Sequence, residues 1–339
     1  MGLDIKGIVE GEPRELSDFK GRRIAIDAYN ALYQFLSSIR QPDGTHLLSP
    51  DGKVTSHLAG LLYRSTSLAE AGMWAVYVFD GEPHPLKSST IEGRRQRRQE
   101  AEAEWHAALE EGDMERARTK AMQSTRLTSA MVEEAVALLD ALGIPHVHAP
   151  GEGEAQASHM ASKGDVWAAA SQDYDSLLFG TPRLVRNLTI SGRRKVPRRN
   201  IYVSVQPEMV ESKGVLDALG ITREQLVDLG ILVGTDFNAG LKAIGPKKAL
   251  KMIREFGSAE KVLSARGYEI PALDTVRELF LHPQVTDDYI LRWRPPDRNR
   301  VLEFLCEARG FSKTRVEAAV EKIAAVERTG AQKSLDAWC

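Results

Sequence analysis

The sequence predicts an α/β fold on a largely parallel sheet. Short apolar runs ending in an acidic residue recur along the chain, and helical stretches lie between them. A continuous apolar run of this kind suits a strand buried on both faces, and strands alternating with helices give a parallel sheet covered by helices. The first run, Arg22-Arg23-Ile24-Ala25-Ile26, leads into Asp27. Residues 56–71 follow with apolar positions three and four apart, a helix. The run Trp74–Phe79 leads into Asp80 and Gly81. Residues 84–128 break the pattern. They are highly charged and helical in propensity with no core face, which predicts a charged surface helix or one bridging solvent. Residues 129–142 form the next amphipathic helix; Gly143 stops it and Pro145 opens a strand over 145–148. The run Val166–Ser171 passes through Gln172 to Asp173 and Asp175. From about residue 220 the chain reads as helical, with a last helix over 313–327 and a short tail over 328–339.

Composition excludes several classes. Of 339 residues, 42% are hydrophobic and 27% charged, the balance of a packed soluble protein. Aromatics are only 6%, so the core is mostly aliphatic. Two cysteines, Cys306 and Cys339, leave no room for a disulfide scaffold or a four-cysteine zinc site. No apolar run approaches the roughly 18 residues of a membrane span. The N-terminus lacks a signal-peptide core, and Lys6 occupies the place where myristoylation needs Ser or Thr. The net charge of −2 hides a segregation. No acid lies between Asp175 and Glu208, where Arg183, Arg186, Arg193, Arg194, Lys195, Arg198 and Arg199 fall. None lies between Asp236 and Glu255, where Lys242, Lys247, Lys248, Lys251 and Arg254 fall. A third block, Arg94-Arg95-Gln96-Arg97-Arg98, follows Lys87. Together these blocks predict a basic face for a polyanion.

Ligands of an open parallel sheet gather beyond the carboxyl ends of its strands. Asp27, Asp80, Asp173 and Asp175 fall at such ends. Glu152 and Glu154 sit in Gly151-Glu152-Gly153-Glu154, at a loop-to-helix junction, and Asp236 ends Val233-Gly234-Thr235-Asp236. Each acid alone could merely cap a helix. One-residue spacing at a turn, in Glu152/Glu154 and Asp173/Asp175, can aim two carboxylates into one site. Seven converging carboxylates repel one another, no basic residue interrupts their motifs, and hard oxygen donors select Mg²⁺ or Mn²⁺ over zinc.

The strings IAIDAYNALYQFL, VYVFDGEPHPLK, GEGEAQA, SQDYDSLLFG and GTDFNAGLKAIGPKKAL resemble those of the flap endonucleases of the XPG-type 5′ nuclease family, in order and over the whole chain. The archaeal branch fits best, since the chain ends without the Lys-rich extension of eukaryotic members. The resemblance implies a PIN-like nuclease core with a helical arch, a helix–hairpin–helix region and a clamp-binding tail. Its parts are an N-terminal nuclease region over 1–98, the arch over 84–128, an internal nuclease region with the hairpin over 116–258, C-terminal helices over 259–327 and the tail over 328–339. It implies cleavage of 5′ flaps in DNA replication and repair, with 5′→3′ exonuclease activity, by a catalytic unit that is monomeric and works at the archaeal nucleoid in the cytoplasm. Asp27, Asp80, Glu152 and Glu154 match a first Mg²⁺ site and Asp173, Asp175 and Asp236 a second, with Mn²⁺ as a substitute. In a two-metal mechanism one ion activates water and both clamp the scissile phosphate.

The resemblance also assigns DNA-handling residues. Lys87 and Arg94 match residues at the base of the arch that contact the reacting phosphate, and Arg97 and Arg98 guide the strand. Tyr33 matches an aromatic that stacks on the nucleotide beside the cut. Arg64 matches a residue of the region contacting the upstream duplex. Gly240–Ala249 reads as a helix–hairpin–helix, in which Gly245 lets backbone N–H groups approach a phosphate and Lys247 and Lys248 add charge. The family places K⁺ on backbone carbonyls near 240–244; here position 240 is Gly, where many relatives carry a hydroxyl. In the tail, Gln332, Leu335 and Trp338 match the peptide that docks on the sliding clamp PCNA, and residues 328–331 separate it from the last helix.

The nearest alternative is a related 5′ nuclease preferring nicked, gapped or bubble DNA; the compact length argues against bubble-cutting relatives. A non-catalytic clamp-bound DNA-binding subunit is disfavoured because all seven acids are present. A Mg²⁺-dependent phosphatase is disfavoured by the basic blocks and hairpin, which suit a long polyanion.

Overall fold

The structure is a computed structural model. It describes residues 3–190, 193–195 and 202–336, of which 193–195, 202–204 and 326–336 are described as backbone only. Its strands in chain order are β1 (Glu12–Pro13), β2 (Arg23–Asp27), β3 (Trp74–Phe79), β4 (His146–His148), β5 (Ala168–Ala170), β6 (Arg183–Arg186), β7 (Arg193–Lys195), β8 (Tyr202–Ser204) and β9 (Glu208–Glu211). Seven of them make one sheet in the order β1-β9-β6-β5-β2-β3-β4, while β7 and β8 pair separately. The run β6-β5-β2-β3-β4 is parallel, and β9 and β1 add antiparallel at one edge. The predicted largely parallel α/β fold is thus what forms.

Side-chain alternation along the strands feeds two cores. Ile24 and Ile26 of β2 and Ala75, Tyr77 and Phe79 of β3 face one way, against α1 (Ala28–Ser38) and α2 (Ser56–Glu70). Between that layer and its next member stand α3 (Ser88–Glu110) and α4 (Met114–Gln123); α5 (Ser129–Leu142) then returns to the same core. Ala25, Val76 and Val78 face the other way, against α6 (Gly153–Lys163). The all-alanine strand β5 is fully buried between these layers.

A second lobe holds α7 (Asp175–Leu178), α8 (Ser212–Leu219), α9 (Arg223–Val233), α10 (Pro246–Phe256), α11 (Ala259–Arg266) and α12 (Leu273–Leu281) around its own core, which takes in Leu3, Ile5 and Val9. The chain then crosses back without regular structure. Gln156 exchanges two hydrogen bonds of 2.8 Å with the Thr286 backbone, and Trp293 donates to the Ala75 carbonyl at 2.8 Å. So the region after 220 is not all helical. It ends in α13 (Arg298–Leu302) and α14 (Lys313–Asp336), which closes on α2. Helix α14 runs on through 328–331, where the sequence predicts a break.

The polar segment 84–128 differs from expectation in one respect. It forms a helical hairpin, α3 against α4, and its seam is made of small residues: Ala101, Ala108, Ala117 and Ala121 are all buried. Alanine carries little hydrophobic signal, so the face is invisible to an apolar-periodicity reading, yet it lets two helices approach closely. The Trp105 indole donates to the Asp43 carbonyl at 3.3 Å, and Ala121 leaves no room for a Cβ at Gly44.

Candidate active site

The strand order reverses beside β2: the chain moves from β2 through β3 to β4, then returns to β5 on the other flank. Ligands bind at such switch points, beyond the carboxyl ends of the strands. Asp27 ends β2, Asp80 follows β3, and Asp173 lies just beyond β5. Glu152 caps α6 and Glu154 lies in its first turn, Asp175 opens α7, and Asp236 follows α9 after Gly234. Six chain segments therefore deliver the seven carboxylates to one rim.

Their supports explain the local sequence. Asp27 Oδ1 accepts from Asn30 N at 3.0 Å, so it both caps α1 and faces the site, its other oxygen 3.5 Å from Ser171 Oγ. Asp80 Oδ1 accepts from Gly153 N at 2.7 Å. A Cβ at Gly153 would sit 2.7 Å from that same oxygen, which is why glycine separates the two glutamates. Glu154 Oε1 accepts from Ser176 Oγ at 3.1 Å, and Asp175 Oδ1 from Leu3 N at 3.0 Å. The N-terminal segment, read from sequence only for what it lacks, thus holds a site acid; the apolar alternation of Leu3 and Ile5 was the available signal.

Electrostatics follow from this crowding. Burial first, then Asp80 and Asp173, push Asp27 up from its ordinary 3.8 to about 8. Burial and Asp173 raise Asp175 to about 7, and burial and Glu152 raise Asp80 to about 6. Glu154 is held well above the usual range by burial and Asp175, and Asp173 is raised by burial and Asp236. The positive charge comes from outside the acidic motifs. Lys87 bonds Glu152 and lies 3.6 Å from Asp236 Oδ2, and Arg94 pairs with Asp236 Oδ1 at 2.6 Å. Burial opposes the Lys87 charge, but Glu152, Asp80 and Asp236 outweigh it and raise its pKa. Both cations stand at the start of the helical hairpin, where Thr90 Oγ1 also donates to the Asp236 carbonyl at 2.9 Å.

These residues fit divalent cations by the chemistry of their donors: buried or half-buried, oxygen-only and unfavourable as a cluster of anions. Among the described residues, no three His, Cys, Asp or Glu side chains stand as a ready-made metal-holding group. Glu152 and Asp236 are engaged by Lys87 and Arg94, so an ion must draw them in.

Tyr33 lies beside this rim, its ring 4.9 Å from the Arg98 guanidinium. The two line an open pocket of about 300 Å³ with Gln34 and Gln172. Arg97 is exposed one turn along α3. At the hairpin before α10, Gly245 is the exposed N-cap with nothing near its missing Cβ, Pro246 is the first helical residue, and Lys247 and Lys248 are exposed.

Three expectations change, and one falls outside the described residues. Arg64 is only 8% exposed and its guanidinium donates to the Leu188 carbonyl, at 2.7 Å from Nε, so it braces a loop and is not presented to a duplex. Arg186 of β6 pairs with Glu208 at 3.1 Å and Tyr174 at 2.7 Å, and Arg254 caps the Leu219 carbonyl at 2.9 Å. These two members of the basic blocks are structural; Arg198 and Arg199 lie outside the described residues. The hairpin offers no side-chain oxygen to K⁺ at position 240. Gly240 has φ +67 and a Cβ there would meet the Val233 backbone at 2.4 Å, so a hydroxyl side chain has no place. The Leu241 carbonyl already accepts from Ile244 N at 3.1 Å, and the Ala243 carbonyl from Lys248 Nζ at 3.1 Å. Finally, the side chains of Gln332 and Leu335, and all of Trp338, lie outside the described residues.

Comparison with known proteins agrees with this geometry. The XPG N-terminal domain model matches residues 5–101 and the XPG I-region model residues 143–236. The chain is 52% identical over its full length to 99% of Flap endonuclease 1 of Aeropyrum pernix, and 51% identical over the full length of both chains to that of Archaeoglobus fulgidus. Its fold superposes on flap endonuclease-1 of Methanococcus jannaschii with a TM-score of 0.77 at 40% identity, over 97% of this chain and 100% of that one. The catalytic core of Rad2 in complex with a DNA substrate shares the fold, with a TM-score of 0.67 at 24% identity over 92% of this chain and 96% of that one. Sequence, fold and rim of acids together place the chain in the flap endonuclease family of XPG-type nucleases.

Proposed function

We propose that this flap endonuclease cuts 5′ flaps, and trims 5′ ends, by phosphodiester hydrolysis on two divalent ions, Mg²⁺ or Mn²⁺. The observation that carries the proposal is the convergence of seven buried or half-buried carboxylates on one strand-end rim with two cations at the base of a helical hairpin. Asp27, Asp80, Glu152 and Glu154 would hold one ion and Asp173, Asp175 and Asp236 the other. When bound, the ions would supply an activated water and charge for the transition state. Lys87 is kept protonated by its acidic neighbours, so it donates to a phosphate oxygen and does not act as a base. Arg94 offers a planar fork to the same phosphate. Tyr33 supplies a ring face for the base beside the cut. The α3–α4 hairpin encloses the single strand, and the hairpin before α10 holds duplex by its backbone without reading sequence. The substrate is chromosomal DNA, which puts the enzyme at the nucleoid in the cytoplasm, working as a monomer.

The metal reading has a pH signature. A carboxyl whose folded pKa is raised stabilises the fold below its unfolded value, and that stability is lost as pH rises through the folded value. Asp80, Asp175 and Asp27 span about 6 to about 8. Without divalent ions, Tm should fall between pH 6 and pH 8. Mg²⁺ prefers the ionised oxygens, so the Tm gained on adding it should be larger at pH 8. Equal gains at both pH values, by scanning calorimetry with EDTA controls, would contradict metal binding at these acids.

The tail is the proposed contact to the sliding clamp, with Gln332 in a polar pocket and Leu335 and Trp338 as an apolar plug. Deleting 331–339 should leave cleavage of a free oligonucleotide flap unchanged, because no carboxylate of the rim or basic block lies there. It should abolish stimulation by PCNA. A buried aromatic anchor contributes about 2 kcal/mol or more, so Trp338→Ala alone should weaken clamp binding at least about tenfold. Equal clamp affinity with and without the tail, by calorimetry, would rule this out.

A further inference from the structure

We propose that the Lys248 ammonium takes the place of a monovalent cation in the hairpin between α9 and α10, so that the grip on duplex DNA is independent of K⁺. The inference rests on the reading of residues 240–249 as a duplex-binding element.

A bare alkali ion is held where several carbonyl oxygens replace its hydration shell. Several carbonyls in and around the hairpin already accept hydrogen bonds. Leu232 O accepts from Leu241 N at 2.8 Å, Leu241 O from Ile244 N at 3.1 Å, and Gly245 O from both Lys248 N and Ala249 N at 3.0 Å. Gly240 supplies no side-chain oxygen and has no space for one. The remaining feature is Ala243, a non-glycine residue at φ +63. Left-handed backbone is unfavourable for alanine and persists where surroundings hold it. What holds the Ala243 carbonyl is Lys248 Nζ at 3.1 Å, reaching back from the first turn of α10.

An ammonium carries the same unit charge as a monovalent ion and gives three directed N–H donors. Tethered five residues along the chain, it needs no recruitment from solution. It places its charge beside the exposed N-terminus of α10, where Gly245 leaves the backbone open and Lys247 stands exposed. Lys248 is thus a positioning residue for the hairpin as well as a source of charge, whereas Lys247 provides charge alone.

The test is DNA affinity, by fluorescence anisotropy on a nicked duplex in EDTA, in KCl and in tetramethylammonium chloride at one ionic strength. The tetramethylammonium ion is too large for a carbonyl site and cannot donate a hydrogen bond. Wild-type affinity should agree between the two salts within about twofold. Lys248→Met should bind roughly tenfold more weakly in tetramethylammonium chloride, the scale of losing a phosphate-facing charge, and recover part of that loss in KCl, where K⁺ can occupy the emptied position. Lys248→Arg should restore affinity and stay insensitive to the salt. Lys247→Met should weaken binding equally in both salts. The proposal is overturned if wild type itself loses affinity without K⁺, or if Lys248→Met loses affinity equally in both salts, which would make Lys248 a plain phosphate contact. If neither lysine variant changes affinity, the hairpin is not the duplex grip and the proposal falls with that reading, while flap cleavage itself remains intact.

Discussion

Asp173→Ala should abolish flap cleavage, by about 10³-fold or more, while the DNA remains bound. Asp173 lies beyond β5 at the point where the strand order reverses, and burial and Asp236 raise its pKa. Removing it takes one oxygen donor from the group that would hold the second ion. The fold should survive, because it is the Asp173 backbone N–H, not its carboxylate, that bonds Ser171, at 3.3 Å. Affinity for DNA should hold or rise, since a negative charge facing a phosphate has gone. Asp80 is the matching test in the first group, but Asp80→Ala also strips Gly153 N of its acceptor, costing about 1 kcal/mol. Asp80→Asn keeps an oxygen for that N–H and should be equally inactive with less loss of stability. Near-normal turnover of either variant at saturating Mg²⁺ would remove that residue from the site.

Alanine at Lys87 or Arg94 should lower the single-turnover rate by about 10²–10³-fold, with a much smaller change in affinity. Lys87 meets Glu152 and Asp236, and Arg94 meets Asp236, so both cations already stand among the acids that would surround the scissile phosphate. Charge placed there before reaction costs no reorganisation when negative charge develops on the phosphate oxygens. A loss of affinity at unchanged rate would reassign them to guiding the strand. Lys87→Arg is informative as well: a flat fork does not reproduce a compact ammonium, so it should recover only part of the rate.

Much of this site was legible in the sequence because strand ends are easy to read. An apolar run closed by Asp27, Asp80 or Asp173 marks both a buried strand and the rim to which it points. The helix over 129–142 matches α5 residue for residue, since Thr128 caps its start and Gly143 its end. What stayed hidden was hidden for physical reasons. The seam of the α3–α4 hairpin is built from alanines, which carry almost no apolar signal. Arg64 and Arg186 look like surface charge until the fold supplies Leu188 O and Glu208 to receive them. Strands β6 and β9 pair through residues as polar as Arg183 with Glu211, so no apolar run announced them. Lys87 and Arg94 were placed at the reacting phosphate by the resemblance, but that Lys87 meets Glu152 and Asp236, and Arg94 Asp236, is shown only by the folded chain. The role of Lys248 depends on a carbonyl five residues away in an unusual backbone conformation, which residue types do not reveal.

The central claim is that the rim of acids cuts DNA at a branch. It is tested most directly by incubating the protein with Mg²⁺ and an end-labelled double-flap substrate, beside nicked and gapped duplexes, and mapping the products. The account predicts one dominant cut at the base of the 5′ flap, leaving a 5′-phosphate and a 3′-hydroxyl, dependent on the divalent ion and lost in Asp173→Ala. Cleavage that persists in EDTA, or that falls evenly along the strand whether or not a branch is present, would contradict it.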